Sequence, residues 1–440
     1  MNNAISSGRW PYLQWGVAAL VLAVLPSVFS SGASITMMSL MGFAIIFALS
    51  YNMLLGQTGM LSFGHAVYYG LGGFLTAHAL NVVGRNQLPI PLPLLPLVGG
   101  LAGLTFAIIF GWVSTKRSGT AFAMISLGIG ELVAACSLIL RGFFGGEGGI
   151  STNRTATLKL FGVSFGPQVQ VYYLIAGWCL ICIGAMYAFT RTPLGRMCNA
   201  VRENPERAEF VGYSTQMVRF IAFCVSGFFA GVAGGLAAIH YEIVTSSVVG
   251  AGPSGFVLLM AYIGGVAFFV GPIIGAVLMT ALQISLSDYT GAWLLYVGLM
   301  FVIVVMYIPW GLGGLLLIHR PLIAAGTFRR VLPTYGLAAV PLLMLGAGMV
   351  LLIETCHHLL VNTTDGPAMR ALWIDYSSNS PIVWIAIGVL IVTGILGVRW
   401  VMPKVSDAFH AASQEALRRQ LAKVAAREHP AGDGSKGRAA

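Results

Sequence analysis

Asn52, Gln57, Ser62 and His65 stand close together in a glycine-rich stretch that is otherwise apolar, and Glu131 stands alone in the middle of another apolar run. A charged Asp, Lys or Arg near the centre of a membrane helix costs roughly 2.5–3.5 kcal/mol, so a polar group kept there faces protein or water. Residues of this kind can line a path for a small solute, particularly beside unwound or half-helical backbone. They can equally tie one helix to another, with glycine serving only close packing. Both readings stay open for these five positions. Glu131 could also carry a proton in a coupled transporter. His78 reads as an interfacial residue.

A second polar segment, Arg191 to Thr215, is charged and lies between two apolar runs. Asn204 is a good N-cap and Pro205 suits the first helical position. Glu206 falls in the first turn, where negative charge suits the helix dipole. Gly212 can end the helix in a left-handed conformation, and Ser214 or Thr215 can cap the next one. A short exposed helix bounded so completely reads as a docking element, with a plain connector as the alternative. Other chemistries find less support. Cys179 and Cys182 have a CxxC spacing, but inside an apolar run rather than on the polar turn of a metal or redox pair. Glu354, Cys356, His357 and His358 could suggest a metal, but adjacent His side chains point apart on a helix or strand; they read as interfacial polar residues. No cluster of His, Asp or Glu suggests an enzyme. The chain also lacks a G-x-x-x-x-G-K-[ST] phosphate loop, so it cannot be its own ATP motor.

These elements are positioned by an unusually apolar chain. Hydrophobic residues make up 57% of the 440 residues and charged residues 9%; soluble domains carry about 25% charged. The expected fold is all-α: a polytopic transmembrane bundle with broken or re-entrant helices, roughly ten core spans and two further C-terminal spans. Candidate spans are 12–30, 35–55, 60–80, 92–114, 119–140, 171–189, 217–239, 255–287, 293–309, 335–353 and 382–402. The first is read as a retained span rather than a signal peptide, being long for a signal core. The stretch 255–287 is interrupted near Gly264-Gly265 and Gly271-Pro272 and is counted as crossing twice. Placing both termini in the cytoplasm then leaves only Arg85, Arg141, Arg154, Lys159 and Arg370 outside, which satisfies the positive-inside rule. The net charge of +10 is thus topological, and nucleic acid is not an expected partner. Residues 404–428 read as an amphipathic helix with Glu415 and Arg419 paired at i,i+4, ended by Pro430.

The segment Arg196 to Gly212 resembles the coupling loop of branched-chain amino-acid ABC permeases of the LivM type. In that loop an alanine and a glycine follow an acidic residue. Glu206, Ala208 and Gly212 fit, while Arg207 occupies the place of a usual second alanine. Gly56 to Ala66, Lys116 to Leu132, Gly145 to Ile150, Tyr262 to Gly275 and Ile308 to Leu315 resemble the family's other signatures, in the same order. The resemblance spans about residues 37–317. It implies an importer of hydrophobic or branched-chain amino acids, or similar small solutes, in a bacterial inner membrane. Its implied partners are a second, LivH-like permease, two cytoplasmic ATPases that bind ATP and Mg, a periplasmic binding protein and membrane lipid. No cofactor is expected in this chain itself. Gly195, Arg196, Arg202, Glu203, Asn204, Glu206, Ala208 and Gly212 would form the ATPase-coupling loop, and Asn52, Gln57, Ser62, His65 and Glu131 the path. The expected organisation is a permease core over 1–319, an extension with two spans over 320–403, and a cytoplasmic helix with a disordered tail over 404–440. A stand-alone proton-coupled transporter using Glu131 is the alternative.

Overall fold

The computed structural model describes residues 10–85, 89–157, 164–361, 368–371 and 374–428. Arg9, Lys159, Pro430 and the tail after it lie outside the described residues. The chain divides into two compact units, Met1–Leu286 with Val297–Gly314, and Ser287–Tyr296 with Leu315–Ala440.

The first unit is helical almost throughout. Its helices are α1 (Trp10–Val28), α2 (Gly32–Thr58), α3 (Ala66–Gly84), α4 (Leu95–Ser114), α5 (Thr120–Ile139), α6 (Arg141–Phe144), α7 (Gln168–Arg191), α8 (Pro193–Glu203), α9 (Pro205–Phe210), α10 (Thr215–Tyr241), α11 (Ala251–Gly264), α12 (Gly271–Tyr289) and α13 (Trp293–Tyr307), the last two shared at their ends with the second unit. Local chemistry sets many of the starts. Ser31, Thr192, Asn204 and Ser214 each cap a helix by accepting from a backbone N–H three residues on. Packing does the rest. The 27-residue helix α10 is buried along most of its length against α2, α3 and α4. The contact is backbone to backbone: a methyl group on Gly231 would lie 2.1 Å from the Gly99 carbonyl oxygen. Small residues let membrane helices approach this closely and gain dispersion contact where lipid offers no hydrophobic drive. The only strand pairing in this unit among the described residues joins β1 (Ile150–Ser151) antiparallel to β2 (Ile243–Val244).

The second unit contains most of α14 (Gly311–Ala324), α15 (Phe328–Val361) and α16 (Pro381–Glu428), with β3 (Ala368–Ala371) paired to β4 (Ile374–Ser377). Helices α15 and α16 run antiparallel, with Gly348 against Ile391, Gly394 against Leu345 and Gly397 against Pro341. Glu415 binds both Arg330 and Arg419, the latter as the expected i,i+4 pair at 2.6 Å. The expected span at 382–402 and the expected helix at 404–428 are both helical and join in one 48-residue helix that runs through Pro403. A proline removes one backbone hydrogen bond and crowds the preceding turn; here the flanking turns continue across it.

Among the described residues eight helices are long and apolar enough to cross a membrane, and Trp293–Tyr307 with Gly311–Ala324 makes a ninth, interrupted at 308–310. The chain is an all-α polytopic membrane protein. One of the expected spans takes a different form, and another is interrupted where expected. The stretch 60–80 begins as irregular backbone and becomes helical only at Ala66. The stretch 255–287 is two helices separated at 265–270.

Candidate translocation path and coupling loop

Helix α2 ends where Gly59 takes a left-handed conformation (φ 70°), and Met60 to Gly64 then run without regular hydrogen bonding. Neighbouring helices supply what this segment lacks. Phe63 N–H donates to Ser126 Oγ on α5, and Ala66 N–H donates to Ser254 Oγ on α11, both at 3.0 Å. Unwound backbone survives at membrane depth only with such partners or with water. The segment also lies hard against α5, because a methyl group on Gly64 would fall 2.1 Å from the Ser126 carbonyl oxygen.

His65 is fully buried beside Phe47, Tyr51 and Tyr68. Ser50 Oγ donates to the Phe47 carbonyl at 2.7 Å and shares a 3.0 Å hydrogen bond with His65 Nε2. With the serine proton engaged, Nε2–H is the donor in that bond, and Nδ1 is left as an acceptor. Nδ1 has no partner among the described residues, and neither do Asn52 Oδ1, Gln57 Oε1 or Ser62 Oγ, all buried. Buried acceptors without partners are costly, about 1–3 kcal/mol each, and mark places where water or solute is needed.

The five expected path residues do not form one constellation. His65 faces Ser50, whereas Asn52 lies against Gly56 on the side where Val266 approaches. Glu131 is turned outward from the chain, although its neighbour Gly130 packs on Gly64. The outward face of α5 has a seven-residue period: small Ala121, Gly128 and Ala135 alternate with Met124, Glu131 and Leu138. Serines 50, 126 and 254 were not singled out by sequence, since a serine in a helix gives no local sign of reaching another helix.

Three helix breaks meet near the end of α2. A methyl group on Gly56 would lie 2.7 Å from the carbonyl oxygen of Val266, in the break between α11 and α12. One on Gly265, in that same break, would lie 2.3 Å from the carbonyl oxygen of Trp310, in the break between α13 and α14.

The segment after α7 holds two helices rather than one. Helix α8 starts at Thr192, whose hydroxyl accepts from Gly195 N–H at 3.1 Å, with Pro193 at its first position. Asn204 then caps α9 by accepting from Arg207 N–H at 3.0 Å. Gly212 follows at φ 92° in open space, so only its backbone conformation demands glycine. Arg196, Glu203 and Glu206 are exposed. Arg202 is exposed as well, but its guanidinium reaches the bundle and donates to the Gly56 carbonyl.

Ala208, placed in the coupling loop by the sequence, does not face outward. It is 4% exposed and packs inward with Cys198, Val201, Val218 and Ala222. Helix α9 is anchored by Ala208 and leaves Phe210, 90% exposed, and the following Val211, 70% exposed, on the surface of the chain. In the same cluster burial pushes the Cys198 thiol up to about 12.

At the opposite end of α10, Arg154 is buried and holds the loop after α6. Its guanidinium donates to the carbonyls of Phe165, His240 and Gly166 and to Gln168 Oε1. Glu242 accepts from Arg154 N–H at 2.9 Å and lies 3.7 Å from the guanidinium. Arg154 was read from sequence only as an external charge.

Multiple apolar helices, helix breaks with buried acceptors and a capped polar loop define a multi-pass membrane permease. The family model "Branched-chain amino acid transport system / permease component" matches residues 34–308, and the chain belongs to that family. It is similar to the high-affinity branched-chain amino acid transport system permease protein LivM of Salmonella typhimurium, 27% identical over 317 residues, covering 67% of this chain and 73% of that protein. It is 22% identical over 257 residues to the corresponding permease protein BraD of Pseudomonas aeruginosa, covering 56% of this chain and 82% of that one. It is also 22% identical over 264 residues to LivH of Salmonella typhimurium, again covering 56% and 82%. No solved structure matches. Relatives of this kind do not favour a stand-alone proton-coupled transporter.

Proposed function

We propose that this chain moves branched-chain or other hydrophobic amino acids, or similar small solutes, through the inner membrane as one permease of an ATP-driven importer. A LivH-like second permease completes the path, two cytoplasmic ATPases bind ATP and Mg, and a periplasmic protein delivers the solute. Both termini are cytoplasmic in this reading. The observation that carries it is the pair α8–α9: a capped, anchored element that ends in outward Phe210 and Val211. Exposed aromatic and aliphatic side chains on a fixed helix are what a protein partner grips.

The path runs beside the 59–65 segment, where Gln57, Ser62 and His65 offer acceptors to water or to an ammonium group. Glu131 belongs to a different part of it. A mid-span carboxylate on an outward face is poorly solvated by lipid, so it meets the second permease or water between the two. The loop held by Arg154 and Glu242 gives the binding protein a firm external seat. The test is to purify the tagged chain from cells that co-express the ATPases, the second permease and the binding protein of its own transporter. Recovery of a stable complex of both permeases with two ATPases supports the reading, and recovery of the chain alone sinks it.

A further inference from the structure

We propose that Arg202 is a positioning residue: it carries the placement of α8 and α9 to the node where the three helix breaks meet. This rests on the reading of α8–α9 as the ATPase-facing element. Helix α8 stands on Arg191–Thr215, outside the apolar spans, yet its last turn reaches the end of α2. The Arg202 guanidinium donates to the carbonyl of Gly56, and its Cγ lies 3.1 Å from where a methyl group on Gly59 would be. Gly56 is within the last four residues of α2, whose carbonyls have no helical partner. A guanidinium satisfies such a carbonyl and also suits the negative end of the helix dipole. The contact is therefore attractive, local and made by a long side chain that can transmit a push or a pull.

Gly56 is the position from which such a movement would spread. It abuts Val266, its neighbour Gly265 abuts Trp310, and Gln57 with its unpartnered acceptor comes next in the chain. Only two residues separate Arg202 from Pro205, where α9 begins, and Asn204 fixes that junction by capping. A shift of α9 thus has a short covalent route to Arg202 and a single hydrogen bond to the end of α2. Among the described residues no α9 side chain is hydrogen-bonded to α2, whereas Arg202, just before α9, is.

The experiment uses the complete transporter, reconstituted with its ATPases, second permease and binding protein, and compares wild type with Arg202→Lys and Arg202→Met. The readouts are the ratio of substrate-stimulated to basal ATP hydrolysis, solute moved per ATP, and ATPase retained on purification. We expect Arg202→Met to keep its ATPases while both the stimulation ratio and the transport per ATP fall at least fivefold. Arg202→Lys, which still places a cationic donor near the carbonyl, should recover part of both. Wild-type ratios in Arg202→Met overturn the proposal. Loss of the ATPases from Arg202→Met also overturns it, since Arg202 would then be a docking residue. Failure of the wild-type complex to hydrolyse ATP in response to solute would instead reject the importer reading itself.

Discussion

Thr215 donates a hydrogen bond of 2.7 Å to the Glu209 carboxylate, and so joins the last turn of α9 to the first residue of α10. Helix α10 continues from there to Tyr241, beside the Arg154–Glu242 clasp. One uninterrupted helix thus has the candidate coupling element at one end and the candidate external seat at the other. A hydrogen bond to a charged group contributes about 1.5–3 kcal/mol, less where it is partly exposed. Thr215→Val should loosen α9 without harming insertion. The expected result is a few-fold loss of substrate-stimulated ATP hydrolysis at normal membrane levels; unchanged stimulation would show that this bond is idle.

Phe210→Ala and Val211→Ser remove the outward apolar surface of α9 and nothing from the core. Truncating a central interface residue typically costs more than 1 kcal/mol, and about 2 or more at a hot spot. ATPase affinity should fall roughly ten- to thirtyfold for Phe210→Ala. The purified chain should melt at the wild-type temperature, because Phe210 is 90% exposed. A pull-down titration with the ATPase reads the first effect and a thermal melt the second.

Sequence alone made the local features of this loop legible. The Asn204 cap, the start at Pro205 and the left-handed Gly212 follow from side-chain and backbone chemistry within a few residues. Helix α8 carried the same signals at Thr192 and Pro193, but its charged composition hid them. The inward turn of Ala208 was not legible, since it depends on Cys198 and Val218 arriving from other helices. Nor was the meeting of Gly56, Val266 and Trp310, which lie far apart in the chain. The polar residues before His65 identified a break; which serines serve it is decided only by packing. Glu131 falls near the middle of α5, and its outward direction depends on which face of α5 meets Gly64.

Cys198 reports on the seating of Ala208. Burial holds its thiol at about 12, above the usual range, so the neutral thiol dominates at neutral pH and the reactive thiolate grows only as pH rises toward that value. In a chain whose other cysteines are replaced by serine or alanine, maleimide labelling at pH 7 should be slow. Ala208→Trp overfills the cluster and should speed labelling at least tenfold. Rapid labelling of the unaltered site would contradict the burial.

Gly128 is open and sits at the centre of the outward stripe on α5. If the second permease packs there, Gly128→Trp should abolish its co-purification while leaving the chain in the membrane. Ile181→Trp, on the outward face of α7, serves as the control and should leave the pair intact. Equal recovery of the second permease with both variants would move the subunit contact elsewhere.

Gln57→Leu and Ser62→Leu remove acceptors beside the unwound segment while leaving every residue of α8 and α9 unchanged. Uptake should fall at least fivefold while the ATPases remain bound. Wild-type uptake with both changes in place would reduce this segment to packing.

The central claim, that this chain is a permease that borrows its energy, is tested most directly in proteoliposomes. One set holds the purified chain alone; the other holds it with the second permease, the ATPases and the binding protein. Uptake of radiolabelled leucine is followed in each, with ATP on the ATPase-facing side or with an imposed proton gradient. The account predicts ATP-dependent uptake by the full assembly and none by the chain alone under either condition. Uptake by the lone chain driven by the proton gradient would contradict it.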